Sequence, residues 1–207
     1  MRKSTQYWIN TPKPFADLYN IKFLFSPAKI VSKFLEDRSK ILYRMLDKIS
    51  GKTLLDIGCG SAPHLIKISK KYEQTYGVDY SDSMIEFGKN AIKVKGIKNC
   101  KLTVADATRL PFPDSSMDIT IAMGLLDYIE APKDALKESH RVLKKGGYSI
   151  FSIPKKPSLF GFLRSPVGEL IKKYLFKLPP IDNTINLNQL LTLCTKNGFS
   201  VEEISSV

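Results

Sequence analysis

The sequence predicts an α/β fold, a doubly wound and mostly parallel β-sheet with helices on both faces. From Gly51 onward, short apolar segments alternate with amphipathic helical segments, an alternation typical of parallel sheets. The chain has 207 residues, of which 43% are hydrophobic, and this is enough for one packed domain. No apolar run approaches the ~18 residues that a membrane-spanning helix needs.

The first predicted element is a helix whose start is marked by Ser26 and Pro27, a capping residue and a first-turn proline. Apolar residues recur at helical spacing from Ile30 to Ile49, so one face of this helix should pack on the core. Five strands are predicted after it, over residues 53–57, 75–79, 100–104, 117–123 and 148–153. Helices are predicted between them over residues 63–72, 82–94 and 132–144, the last ended by Gly146 and Gly147.

Two segments of different composition flank this alternation. Residues 1–27 contain three prolines and many aromatic residues without periodicity, which is typical of an arm or lid. Residues 155–180 mix proline, lysine and aromatic side chains, and we interpret them as an insertion with one short helix near 166–176. The chain is predicted to finish with a helix from Leu187 to Asn197, closed by Gly198, and a sixth strand from Phe199 to Ile204.

The chain is strongly basic, with 32 Lys and Arg against 20 Asp and Glu and a formal net charge of +12. The excess is concentrated at the N-terminus, since residues 1–50 alone hold +6. This bias favours an anionic partner, and a solvated lysine-rich surface explains it equally well. Three cysteines stand far apart, at Cys59, Cys100 and Cys194. They predict neither a disulfide framework nor a metal site, and they are typical of a cytoplasmic protein.

The most informative local segment is the turn that follows the first strand, from Asp56 to Ala62. Gly58 and Gly60 let the backbone approach a ligand at the edge of the sheet. Asp56, at the end of the strand, suits a ligand that carries an amine rather than a pyrophosphate. Ala62 stands where a third glycine is frequent, and no Gly-Lys-Ser/Thr follows, so the segment is not a P-loop.

Two further acids follow the next two strands. Asp79 ends the second strand, where a carboxylate can accept hydrogen bonds from both hydroxyls of a ribose. Asp106 follows the third strand, at a suitable place to bind an adenine edge. Because the carboxyl ends of neighbouring parallel strands meet at one edge, Asp56, Asp79 and Asp106 are predicted to converge on a single ligand crevice.

Five segments occur in a fixed order along residues 51–153, about half of the chain. They are Leu55 to Ala62, Gly77 to Ser81, Ala105 to Ala107, Leu110 to Asp118 and Arg141 to Gly147. In this order and spacing the sequence resembles the class I S-adenosylmethionine-dependent methyltransferases, in the subgroup that includes quinone-biosynthesis methyltransferases. The resemblance implies a Rossmann-like sheet and methyl transfer from S-adenosylmethionine, with S-adenosylhomocysteine as product and without a metal.

The resemblance also implies roles for the residues around the glycine turn. Asp56 and the backbone of Gly58, Cys59 and Gly60 would hold the amine and carboxylate of the cofactor's methionine part. Asp79 would bind the two ribose hydroxyls.

The remaining implied contacts concern the adenine and the sulfonium. Tyr80 and Met84 would form walls around the adenine. Asp106, supported by the Ala107 backbone, would bind the adenine amino group. Met123 and the following Gly124, at the end of the fourth strand, would pass beside the sulfonium.

Sheets of this family usually have a seventh, antiparallel strand, and no residue after Val207 is present to supply it. We therefore expect a sheet that lacks this last strand, an N-terminal region that compensates for it, or a shortened chain. Residues 1–50 are interpreted as an arm and helix over the acceptor site, and residues 51–207 as the cofactor-binding methyltransferase domain.

Methyl transfer from a sulfonium is a direct displacement, so the enzyme mainly aligns the acceptor and excludes water. A base is needed only where the acceptor must lose a proton. Asp127 and Tyr128, where many relatives have a histidine nearby, are the candidate catalytic residues, and helix capping and core packing explain them as well. His64 is a candidate for the wall of the cofactor or acceptor pocket, and His140 is interpreted as exposed or packed.

Three hypotheses remain open for the acceptor. The preferred one is a small molecule that is apolar or anionic, with residues 155–177 as a lid that touches a membrane surface. The second is RNA held by the basic flanks, against which stands the absence of an RNA-binding module and of an Asn-Pro-Pro-Tyr-like motif. The third is a cofactor-binding partner subunit without activity of its own.

Overall fold

The computed structural model describes residues 27–153 and 185–206. In chain order its elements are α1 (Pro27–Leu46), β1 (Thr53–Ile57), α2 (Pro63–Ile68), β2 (Gln74–Asp79), α3 (Asp82–Val94), β3 (Cys100–Val104), β4 (Met117–Met123), α4 (Pro132–Val142), β5 (Leu143–Ser152) and α5 (Leu187–Lys196). The predicted N-terminal arm and the predicted insertion at 155–180, with its short helix, lie outside the described residues. None of the described helices is both long enough and apolar enough to span a bilayer.

The five strands form one parallel sheet in the order β3-β2-β1-β4-β5. Leu55 of β1 pairs with Tyr76 of β2 and with Thr120 of β4, so β1 is central. The chain moves outward from β1 to β3 and then returns to the other side of β1, which leaves a crevice at the carboxyl ends of β1 and β4. The predicted doubly wound parallel sheet is confirmed, and no antiparallel strand occurs among the described residues.

Neighbouring residues of β1 belong to two apolar layers, because successive side chains of a strand point to opposite faces. Leu54 joins the layer formed with α1, α2 and α3, which contribute Leu42, Leu65 and Ile85. Leu55 joins the layer formed with α4, which contributes Ala135 and Val142. Helices therefore cover both faces of the sheet, and its carboxyl-terminal edge is left for a ligand.

Arg141 ties together two of the five segments that carry the family resemblance, Leu110 to Asp118 and Arg141 to Gly147. Its guanidinium donates to Glu138 at 2.7 Å and to Asp114 at 2.6 Å. It also donates to the carbonyl oxygens of Phe112 and Leu110, at 2.9 and 3.1 Å. The loop that leads into β4 is thus fastened to the end of α4, and this accounts structurally for an arginine at this position.

Gly77 of β2 lies in a closely packed part of the core. A Cβ atom at this position would be 2.6 Å from Leu102, 2.7 Å from Leu65 and 2.8 Å from the Cys59 sulfur. We expect Gly77→Ala to lower the free energy of unfolding by about 1–3 kcal/mol, the usual cost of overpacking, in a urea titration. Thr103→Ala, at an exposed position of the neighbouring β3, is the control; equal losses for the two variants would contradict the packing argument.

The boundaries predicted around two helices differ from the observed ones. The helix predicted over 63–72 is α-helical only to Ile68 and continues as a 3₁₀ turn over Ser69–Lys71. The helix predicted to reach residue 144 ends at Val142, because Leu143 already pairs with Met117 as the start of β5. The pairing is interrupted and resumes at Tyr148, so the two glycines expected to end the helix lie in an irregular part of the strand.

The sixth strand predicted over residues 199–204 is wrong, since this segment is described without strand structure. Side chains hold it instead. The ring of Phe199 packs edge-on against Phe151, and Lys48 of α1 forms an ion pair of 2.8 Å with Glu203. Arg44 donates to the Ser205 hydroxyl at 3.0 Å. An alternating apolar pattern favours a strand only where a sheet edge supplies the backbone partner.

Candidate active site

The candidate site lies at the carboxyl-terminal edge of the sheet, where the acids from separate strand ends meet. Asp56 of β1 is in register with Ile121 of β4. One residue further, Ile57 is in register with Val78 of β2, directly before Asp79. The parallel register thus places Asp56 and Asp79 at one edge, with Asp106 two residues beyond β3.

The turn after β1 is fastened to β2 by its own backbone N–H groups. Those of Gly58 and Cys59 donate to the carbonyl oxygen of Val78, at 2.8 and 2.9 Å. That of Gly60 donates to Oδ2 of Asp79 at 2.8 Å. The donors that were expected to receive the methionine carboxylate are therefore already engaged within the protein.

Two small side chains complete the turn. Ala62 has a left-handed backbone, with φ of 62°, and is fully buried, a geometry that costs a non-glycine residue about 1–2 kcal/mol. Cys59 points its thiol into the core beside Gly77. Burial, followed by the charges of Asp56 and Asp79, raises the pKa of the Cys59 thiol well above its usual value. The thiol stays protonated, so Cys59 serves through packing and backbone rather than as a nucleophile.

Asp56 is a buried carboxyl group with an unsatisfied oxygen. It is 1% exposed, and its Oδ2 has no hydrogen-bond partner. Burial and then the charge of Asp79 raise its pKa to about 8, while Arg38 opposes this shift. Because a buried carboxyl without a donor is costly, this position fits a cationic hydrogen-bond donor such as the ammonium of an amino-acid ligand.

Asp79 joins the turns that follow β1 and β2. Its Oδ2 accepts from Gly60 N–H at 2.8 Å and its Oδ1 from Ser81 N–H at 2.9 Å. Burial raises the pKa of Asp79, and the backbone N–H groups of Ser81, Gly60 and Tyr80 oppose this. Each carboxylate oxygen has a second lone pair, so the group can also receive two ribose hydroxyls.

The four residues assigned to the adenine differ in accessibility. Tyr80 is 51% exposed and free to lie along a flat ring, whereas Met84 is buried in the first turn of α3. Asp106 is exposed, and its Oδ1 accepts two hydrogen bonds from Thr108, at 2.8 and 2.7 Å. Ala107 is buried. Tyr80 and Asp106 are thus the two of these side chains that an incoming ligand can meet directly.

The end of β4 meets α1 through a side chain that sequence reasoning missed. A Cβ atom on Gly124, which follows Met123 and has φ of 74°, would lie 2.5 Å from Arg38 Nη1. The guanidinium therefore covers the backbone of Gly124. The sequence does hold a pattern that could have identified Arg38. This charged residue lies on the apolar face of α1, three residues after Leu35 and four before Leu42, and both leucines are buried.

His64 and Tyr43 form a pair beside the glycine turn. Tyr43 Oη and His64 Nδ1 are 3.1 Å apart, and their rings meet edge-on. Burial, followed by the charges of Arg38 and Lys67, lowers the pKa of His64 to about 4, so the imidazole is neutral near pH 7. His140 is exposed and packs its ring on Phe199, in agreement with its sequence interpretation.

The candidate catalytic residues lie in the turn after β4, at the same edge of the sheet. Tyr128 N–H donates to the Leu125 carbonyl oxygen at 2.9 Å. Asp127 is only 2% exposed, whereas Tyr128 is partly exposed. Tyr128 is therefore the more accessible of the two to an acceptor.

A groove of about 1420 Å³ runs beside the site, between α1, β5 and residues 186–206. Its lining includes Met123, Arg38 and Ser152, and the last two contact Gly124 at the end of β4. Apolar side chains also line it, among them Ile41 and Met45. Within the described ranges, no three His, Cys, Asp or Glu side chains are grouped so as to hold a metal ion.

Comparison with known sequences gives consistent matches over this part of the chain. Residues 55–151 match the family model described as a methyltransferase domain. The demethylmenaquinone methyltransferase of Geobacillus stearothermophilus is 38% identical over 130 residues, 59% of this chain and 54% of that protein. That of Staphylococcus haemolyticus is 36% identical over 147 residues, 68% of this chain and 56% of that protein. The chain thus spans about half the length of the curated relatives it matches.

Comparison with solved structures supports the fold. A possible histamine N-methyltransferase from Thermotoga maritima has a TM-score of 0.70 at 21% identity, over 96% of this chain and 82% of that one. Magnesium protoporphyrin IX methyltransferase from Synechocystis, solved with bound SAH, has a TM-score of 0.75 at 17% identity, over 96% and 89%. Residues 55–151 therefore match a methyltransferase domain, and the sheet order and these likenesses show that the chain has the fold of these methyltransferase structures.

Proposed function

We propose that this chain transfers the methyl group of S-adenosylmethionine to an apolar small-molecule acceptor of the quinone class. The observation that carries the proposal is the buried, unsatisfied carboxyl of Asp56 beside Asp79 at the carboxyl-terminal edge of the sheet. A site with these two acids suits a ligand with both an ammonium group and a ribose. The acceptor class comes from the demethylmenaquinone methyltransferases that the chain resembles.

The bound cofactor supplies a methyl group activated by a positively charged sulfur. Asp56 accepts hydrogen bonds from its amine, and Asp79 accepts them from its ribose hydroxyls. Tyr80 lies along the adenine with Met84 behind it. Met123 passes beside the reacting centre. Because the sulfonium already activates the methyl carbon, the transfer as proposed uses no metal ion.

Two further residues at the edge of the sheet contact the adenine amino group in this proposal. They are Asp106, through its carboxylate, and Ala107, through its backbone.

The acceptor approaches along the groove between α1 and β5. Met123 and Ser152 line this groove beside the proposed methyl position, and its apolar side chains, among them Ile41 and Met45, suit a hydrophobic molecule. Asp127 and Tyr128 orient the acceptor or take its proton from the turn after β4. The further proposal that residues 155–177 touch a membrane surface rests on the sequence of a segment outside the described residues.

Methyl-labelled S-adenosylmethionine and a fractionated cell extract test the proposal. The chain is incubated with separate lipid, aqueous and RNA fractions, and with purified reduced demethylmenaquinone. We expect label in the lipid fraction and in the purified quinol, and inhibition by S-adenosylhomocysteine. Label in RNA would instead support the RNA hypothesis. Cofactor binding without label in any fraction would support the partner-subunit hypothesis.

A further inference from the structure

We propose that Ser152, at the end of β5, donates a hydrogen bond to an oxygen atom of the acceptor and so fixes the orientation of the acceptor beside the methyl group. The group that this contact selects is an aromatic hydroxyl, or its phenolate, near the atom that is methylated. The inference rests on the proposed function, because it assigns a contact to the same acceptor. Ser152 lies outside residues 55–151, which match the family model, and outside the five segments that carry the resemblance.

The Ser152 hydroxyl is held in place by the end of the neighbouring strand. Ser152 is in register with Met123, the last residue of β4. Its Oγ accepts a hydrogen bond of 2.8 Å from the N–H of Gly124, the residue that follows. Because this bond occupies a lone pair of the oxygen, the hydroxyl proton points away from Gly124. The backbone thus fixes the oxygen and leaves its proton free to be donated.

The hydroxyl proton of Ser152 has no acceptor in the part of the chain that the structure describes. The bond from Gly124 is the hydrogen bond that this side chain makes there. Ser149 of the same strand differs, since its hydroxyl lies 2.5 Å from that of Thr120 and 3.3 Å from that of Ser139. A partly buried donor without a partner is available to a ligand oxygen, and pairing with it stabilises the complex.

The side chain of Ser152 faces the wall of the groove that α1 forms. Successive side chains of a strand point to opposite faces of the sheet. Ile150 packs with the layer that contains α1, whereas Phe151 packs with the layers on the other face. Ser152 therefore shares the face of Ile150. Ile41 and Met45 of α1 line the groove together with it.

A hydroxyl donor beside apolar side chains suits an apolar acceptor that carries a polar group. Apolar walls bind the hydrophobic part of a ligand, and a few placed polar groups fix its orientation. The reduced form of a quinone carries ring hydroxyls, whose oxygens accept hydrogen bonds, and accept them more strongly when ionised. Ser152 thereby directs the oxygen-bearing side of the ring toward the end of β4, where the methyl group is proposed to lie.

Two ligands that differ only in the hydroxyl test the inference. 1-Naphthol and 1-methylnaphthalene have nearly the same shape, and their own fluorescence reports binding. Both are titrated into the wild-type chain and Ser152→Ala, each saturated with S-adenosylhomocysteine. We expect Ser152→Ala to bind 1-naphthol about 10-fold more weakly than the wild type, as the loss of one hydrogen bond predicts, and 1-methylnaphthalene within about twofold. Ser152→Thr keeps the hydroxyl and should recover most of the affinity.

Ser149→Ala is the matched control. It removes a hydroxyl from the same strand, but this hydroxyl lies on the other face of the sheet and contacts Thr120 and Ser139. It should bind both ligands as the wild type does. If Ser152→Ala does not fold, Ser152→Cys has a side chain of similar shape with only a weak donor, and it should lose most of the same affinity for 1-naphthol.

The outcomes separate this inference from the proposed function. If the wild-type chain transfers no methyl group to reduced demethylmenaquinone, the proposed function is wrong and the inference is wrong with it. If the wild type transfers the methyl group but does not prefer 1-naphthol to 1-methylnaphthalene, the proposed function stands and the contact from Ser152 is overturned. If Ser152→Ala weakens both ligands by the same factor, or weakens neither, the serine only holds Gly124, and the contact is again overturned.

Discussion

Replacing Asp79 with alanine should weaken the binding of S-adenosylmethionine by about 100-fold or more. The variant loses the two charge-assisted hydrogen bonds expected from the ribose, each worth about 1.5–3 kcal/mol. It also releases the Gly60 N–H that Asp79 holds at 2.8 Å, which loosens the glycine turn. Thermal stabilisation by saturating cofactor, clear for the wild type, should therefore disappear at the same concentration.

Asp82→Ala is the matched control for Asp79→Ala. Asp82 is an exposed acid three residues further along, in the first turn of α3, so its removal changes the net charge equally without touching the proposed site. It should retain the wild-type affinity within about twofold. If Asp79→Ala binds S-adenosylmethionine with wild-type affinity, the proposed ribose contact is wrong. If both variants lose affinity equally, the change in net charge explains the loss.

Replacing Asp56 with asparagine should stabilise the cofactor-free protein at high pH. The folded protein keeps the Asp56 proton up to pH about 8, whereas an aspartate of ordinary pKa 3.8 releases it much earlier. The folded state thus binds more protons between these values, and wild-type stability falls as the pH rises from about 4 to 8. Asparagine does not titrate. The free energy of unfolding of Asp56→Asn therefore rises relative to that of the wild type over this interval, by up to about 1.4 kcal/mol per pH unit.

Thermal unfolding measures this effect directly. We expect Asp56→Asn to melt about 5 °C or more above the wild type at pH 8.5, and close to it at about pH 4, since ~1 kcal/mol shifts a domain of this size by about 2–4 °C. With saturating S-adenosylmethionine the order should reverse, because the ligand's ammonium pairs with Asp56 in the wild type only. A difference between the two proteins that does not depend on pH would contradict the buried, protonated state of this carboxyl.

Asp118→Asn provides a control of opposite sign. Burial alone would raise the pKa of Asp118, but hydrogen bonds from Lys144 Nζ and from the backbone of Thr53 and Lys52 outweigh it and hold this pKa below its usual range. This carboxylate stabilises the fold above its ordinary pKa, and the contribution is lost as the pH falls. The asparagine variant should therefore be less stable than the wild type at pH 7, and the difference should narrow in acid.

The first four strands of the sheet could be located from the sequence almost residue by residue. Short runs of apolar and β-branched residues bounded by glycine, acids or polar turns predicted β1 to β4, and the structure places them within one residue of the prediction. The acids of β1 and β2 were also found, because a parallel sheet brings strand ends to one edge. These successes share a cause, since each depends on residues close together in the sequence.

Other features were decided by partners far away in the sequence. Leu143 belongs to β5 because it pairs with Met117. The sequence instead predicted a helix that continues to residue 144 and is ended by Gly146 and Gly147. Residues 199–204 did not become a strand, because Phe199 and Glu203 are held by side chains of β5 and α1. A local sequence pattern does not show which distant residues will make these contacts.

The sequence by itself determined the α/β class, the glycine turn and the acids at the strand ends, because hydrophobic periodicity and turn chemistry are local properties. Only the tertiary structure decided the strand order, the engagement of the turn's N–H groups by β2, and the position of Arg38 over Gly124. The physical reason is that a charged residue on an apolar helix face acquires meaning only from what lies opposite it. For Arg38, these neighbours are Asp56, eighteen residues later in the sequence, and Gly124, which follows β4.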